Sequence, residues 1–140
     1  MSQIFAVFEG DKDESRKLVR QIEVSMGVSP LPVSLSQTRQ LEVVLKLFNR
    51  SKKFVQLEFP TTQRIEILIR DAQGRMITQW SEDHAFATEV GLVSINPSER
   101  IQYTAKISTR DLIPRKGYVL EAFLPQFPEL RSDLKFVPAP

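Results

Sequence analysis

The sequence contains no cysteine and a single histidine. The first absence excludes disulfides, thiolate metal ligands and cysteine nucleophiles, and the second excludes a histidine-rich metal site. Five glycines, at positions 10, 27, 74, 91 and 117, are too scattered for a phosphate-cradling loop. No run approaches the roughly 18 apolar residues of a membrane helix. Charge of one sign is scarce too. Nineteen basic and seventeen acidic side chains leave +2, too weak a bias to indicate nucleic acid or a membrane as partner. Ile4 to Phe8 is too short for the apolar part of a secretion signal. No positive charge precedes it, and Glu9, Asp11, Asp13 and Glu14 follow at once, so the expected location is cytoplasmic. What remains, 140 residues with 41% hydrophobic and 26% charged side chains, has the proportions of one globular domain around one core.

The apolar residues recur with a period of two. Leu18, Ile22, Val24 and Met26 share one face of an expected first strand, interrupted by Arg20. Leu41, Val43, Leu45 and Leu47 form a second such face, with Glu42 and Lys46 opposite. Val55, Leu57 and Phe59 form a third. Ile65, Ile67 and Ile69 alternate with Arg64, Glu66, Leu68 and Arg70. Ile101, Tyr103, Ala105 and Ile107 follow, then Tyr118, Leu120, Ala122 and Leu124. Successive strand side chains point to opposite sides, so each run buries one face and wets the other. Turn residues punctuate the runs at Ser51-Lys52-Lys53, Asp71-Ala72-Gln73-Gly74 and Asn96-Pro97-Ser98-Glu99. The pattern predicts an all-β antiparallel sandwich of eight to nine strands. Residues 1–15 are expected to be a flexible or edge segment, and 16–137 a single domain. The segments 81–89, 108–117 and 125–133 are expected to be irregular, with one helical turn within 83–89. Such loops on a β scaffold are where function is expected.

Catalytic and ligand chemistry is thinly represented. Ser81 and Ser98 lack the glycine-flanked elbow of a nucleophilic serine, and His84 reads as a surface loop residue. Asp11 to Glu14 has the charge of a calcium loop without its downstream glycine and bidentate glutamate. Asn49-Arg50-Ser51 matches a glycosylation acceptor, which an intracellular chain does not use. Lys52-Lys53, Arg115-Lys116, Arg64 and Arg70 lack interleaved aromatics and read as solubility charges. Trp80, alternating with Met76 and Thr78, reads as packing between sheets. No enzyme, cofactor or metal site is expected.

One longer pattern stands out. LEVVLKLFNRSKKFVQLEF (41–59) is an alternating strand, a short turn and an apolar strand ending in phenylalanine. TTQRIEILIRD (61–71) leads into a strand bearing an acidic residue. QGRMITQWSEDHAF (73–86) is a glycine turn, a strand ending Trp-Ser, and a phenylalanine a few residues on. In order and spacing this resembles the BsuPI family, the bacterial intracellular proteinase inhibitors. Departures fall at Thr62 (usually glycine), Ile65 (an aromatic), Glu66 (aspartate) and Thr78 (the first tryptophan of a Trp-x-Trp strand). The resemblance implies an immunoglobulin-like sandwich that restrains a subtilisin-like intracellular serine protease. A rigid loop or a strand edge is the expected contact. Two segments offer apolar residues beside proline: Leu112, Ile113 and Pro114 in one, Phe127, Pro128 and Leu130 in the other. The competing reading is a non-inhibitory immunoglobulin-like protein-interaction module, because sandwich folds host many functions.

Overall fold

A computed structural model describes residues 17–140; the segment expected to be flexible, 1–15, lies outside the described residues. Nine strands follow in order: β1 (Ile22–Ser29), β2 (Gln40–Asn49), β3 (Val55–Phe59), β4 (Glu66–Asp71), β5 (Met76–Gln79), β6 (Gly91–Ile95), β7 (Arg100–Ser108), β8 (Tyr118–Leu124) and β9 (Phe127–Phe136). All pairings between them are antiparallel. The architecture is an immunoglobulin-like β-sandwich. One layer holds β1-β2-β7 with β3-β6 continuing it, and the other holds β5-β4-β8-β9.

The alternating runs form the facing surfaces. Leu41, Val43, Leu45 and Leu47 of β2 are fully buried, as are Leu57, Phe59, Ile67, Ile69, Leu120 and Leu124. Burying one such side chain contributes about 1.5–3 kcal/mol, so these ten dominate the cohesion of the two layers.

Three expectations are corrected. Leu18 and Arg20 belong to a short helical turn that precedes β1, not to the strand. The helical turn expected within 83–89 lies earlier, as a 3-10 turn at Trp80–Asp83. The segment 125–133 is a hairpin, not an irregular loop. Pro125 and Gln126 turn between β8 and β9, and β9 then runs on. Its two prolines misled because Pro125 sits in the turn. Pro128 falls where the register shifts between Leu124↔Phe127 and Phe123↔Arg131. β9 is also the edge strand of its sheet, and turns, bulges and sheet edges are places where the missing N–H is tolerated.

β2 and β3 act as one long strand with an interruption, paired to β6 and β7 with an interruption opposite. Phe48 pairs with Arg100 and Val55 with Ile95, so six residues (49–54) face four (96–99) across the break. Asn49, fully buried, holds the break together. Its Nδ2 donates to the carbonyls of Lys53 (2.9 Å) and Ile95 (2.8 Å), and its Oδ1 accepts from the Ser51 N–H (2.9 Å) and hydroxyl (2.7 Å). A buried amide must satisfy both ends, and here it does so by stitching the two strand segments. The formal glycosylation acceptor is therefore a core residue.

Candidate functional site

The two segments expected to carry contact residues lie at opposite ends of the sandwich and are built differently. Loop 109–117 joins the end of β7 to the start of β8. Thr109, buried, fastens its first flank. Its N–H donates to the Arg39 carbonyl (3.0 Å) and its hydroxyl to the Thr38 carbonyl (2.7 Å). The Leu112 N–H closes a turn onto the Thr109 carbonyl (3.0 Å), and the Leu112 side chain packs in the core. Arg115, in the left-handed region at φ 67°, turns its N–H onto the Pro138 carbonyl (2.8 Å) and fastens the second flank. Between them the Ile113 N–H donates to the hydroxyl oxygen of buried Tyr118 (2.8 Å). Segment 33–35 is tied in turn to Ala139, through Ala139 N–H to the Val33 carbonyl (2.8 Å) and Leu35 N–H to the Ala139 carbonyl (2.9 Å).

The outcome at the tip is a half-exposed Ile113 (50%) on an ordered backbone, with Pro114 next to it. Among the described residues, Leu31, Met76 and Val137 are further large apolar side chains exposed on the segments at this end. Ile113 and Met76 line one cleft with Asp71, Asp111 and Lys116. On the other side of the loop a second cleft, of about 1000 Å³, is lined by Arg39, Glu42, Lys106 and Arg110. Asp71 shapes the first cleft through its turn. Desolvation raises the pKa of its carboxyl, but the N–H groups of Arg75 and Gln73 and the Arg75 guanidinium outweigh that and hold it below its usual value.

The other segment offers little surface. Leu130 is 2% exposed and belongs to the core. Phe127 is half-buried, edge-on to the Phe59 ring with centroids 5.9 Å apart. Pro128 alone of the three is exposed. Leu130, like Leu112, thus corrects the expectation of an outward contact: each side chain is buried at its own end of the sandwich.

A feature that the alternation did not foretell lies at the start of β4. Glu66, expected on the wet face, is buried. Its Oε1 accepts from the N–H groups of Ile67 (3.0 Å) and Ser81 (3.1 Å), and its Oε2 from Gln79 Nε2 (3.1 Å) and the Ser81 hydroxyl. This carboxylate anchors the 3-10 turn. Trp80, expected to pack between the sheets from a strand, instead opens that turn and packs half-buried against the core, its ring centroid 4.1 Å from that of His84 and 5.8 Å from that of Phe86. His84 Nδ1 meets the Trp80 carbonyl (2.7 Å). Ser81 is committed to Glu66, so the Ser81–His84 pair forms no nucleophile–base relay. Among the described residues no group of three or more His, Asp or Glu is placed to hold a metal, and no helix is long and apolar enough to cross a membrane.

The solved structures this chain resembles are distant from it. A β-glucosidase from Listeria innocua is 14% identical over 85% of this chain (TM-score 0.47), and one from Erythrobacter marinus 13% over 84% (TM-score 0.49). This chain covers only 16% and 15% of those proteins. A PapD-like domain of human CEP192 is 14% identical over 84% of this chain and 82% of its own length (TM-score 0.32). No curated protein matches. The model of the BsuPI family, described as intracellular proteinase inhibitor, matches residues 31–128. That stretch is well over half of the sequence and includes the Asn49 break, the Glu66 anchor and loop 109–117: the chain belongs to the BsuPI family of intracellular proteinase inhibitors.

Proposed function

We propose that this chain inhibits a subtilisin-like serine protease by presenting loop 109–117, with Ile113 entering an apolar pocket of the enzyme. One observation carries the reading: Ile113 is half-exposed on a backbone hydrogen-bonded at both flanks and at the tip itself. A loop ordered before binding loses little entropy on binding, and this is how a disulfide-free inhibitor gains affinity. Leu112 roots the loop in the core, and Pro114 restricts the chain just after the contact residue. Residues 16–137 act as the inhibitory domain, and the chain works by occupying a protease, not by catalysis.

The test is a titration of the purified protein against an intracellular subtilisin-like protease, followed by the mass of the recovered chain. Stoichiometric inhibition with an intact chain is expected. Ile113→Asp is expected to abolish it while melting as the parent does. Undiminished inhibition by I113D overturns the assignment of the loop. No inhibition by the parent protein across such proteases overturns the reading in favour of a plain interaction module.

A further inference from the structure

The surroundings of Ile113 are not symmetric. On the Met76 side, Arg75 is paired with Asp71 (2.8 Å), and Lys116 shares the cleft with Asp111. Those charges cancel. On the opposite side, Arg39, Lys106 and Arg110 line the cleft against one acid, Glu42. Arg110 approaches exposed Asp83 at 3.7 Å, a solvent-screened contact. Arg39 and Lys106 are exposed and form no ion pair among the described residues. The chain as a whole is nearly neutral at +2, so this concentration is local.

We infer that the partner is a protease with carboxylates on one rim of its apolar cleft, the rim that meets Arg39, Lys106 and Arg110. This rests on loop 109–117 being the contact loop. The apolar tip sets where the enzyme is entered. The one-sided cations set which way round the loop lies in the cleft and which proteases attract it. Charges on the rim of an interface act mainly on the association rate and on discrimination between partners, and they are screened by salt.

The experiment compares association rates and inhibition constants of the full chain, R39E/K106E and K52E against the intracellular subtilisin-like protease, at low salt and at high salt. Lys52, exposed at the mid-sheet break, is a basic residue remote from the loop. R39E/K106E is expected to slow association about tenfold at low salt, with the difference shrinking as salt rises. K52E is expected to change it by less than about twofold. Equal rates for R39E/K106E and the parent overturn the acidic-rim inference while leaving the loop assignment standing. Comparable losses from R39E/K106E and K52E, each scaled to its charge change, also overturn it, because a general attraction then suffices. Undiminished inhibition by I113D removes the loop assignment itself.

Discussion

Loop 109–117 and hairpin 125–130 both set apolar residues beside proline. The first reads Leu-Ile-Pro-Arg at 112–115, the second Pro-Gln-Phe-Pro-Glu-Leu. Their fates are opposite. In the loop, Thr109, Ile113 and Arg115 use their N–H groups on carbonyls and a hydroxyl outside the β-ladder, and the tip side chain stays out. In the hairpin, β8 and β9 pair on both sides of the turn, and Leu130 is drawn into the core. Apolar residues beside proline therefore do not specify projection. What specifies it is whether the backbone finds its partners in a neighbouring strand or in scattered anchors.

The sharpest way to break the contrast is to truncate one apolar side chain in each segment. Leu130→Ala should cost about 2–5 kcal/mol in urea unfolding, the usual result of emptying a filled core site, while the folded fraction inhibits normally. Ile113→Ala should leave unfolding within about 0.5 kcal/mol of the parent and weaken protease binding by roughly 2 kcal/mol, as loss of an anchor does. If the two substitutions have the same profile, the distinction is wrong. Tyr118→Phe probes the tether alone. It removes the acceptor for the Ile113 N–H and should cost about 1 kcal/mol, with faster hydrogen exchange at that amide. The smallest effect concerns pH. The Asp71 carboxyl is held below its ordinary value of 3.8, so its contribution is complete above that value and is lost as pH falls through the lower, folded-state value. The amides of Gln73 and Arg75 should lose protection only in that acid range. The anchors of loop 109–117 involve no carboxylate and should not respond.

Much of the scaffold was legible because strand alternation is a local signal. Leu41, Val43, Leu45 and Leu47 declared β2, and all four are fully buried. Glu66 was not legible, because the groups that cover it, Gln79 and Ser81, come from a different strand and the turn after it. Its partnership with Ser81 does give a physical sense to two parts of the family pattern, the acidic residue in β4 and the Trp-Ser after β5. The hairpin was hidden by prolines at a turn and at a register shift on an edge strand, positions where a sheet accepts them. Of the candidate contact residues, sequence placed Ile113 and Pro114 in an irregular segment, and they lie in the connection between β7 and β8. It had no means of separating Ile113, which points out, from Leu112, which points in, since adjacent residues outside a strand obey no fixed alternation.

The fastening of loop 109–117 at both flanks has a consequence for what happens if a protease does cut it. Hydrolysis between the anchors at Thr109 and Arg115 leaves both new ends bound to the same folded body. The freed amine then stays beside the new carboxyl group instead of diffusing away, and a reactant held in place behaves as if present at very high effective concentration for the reverse step, which expels water. Resealing of the bond competes with escape, so a nick need not end the complex.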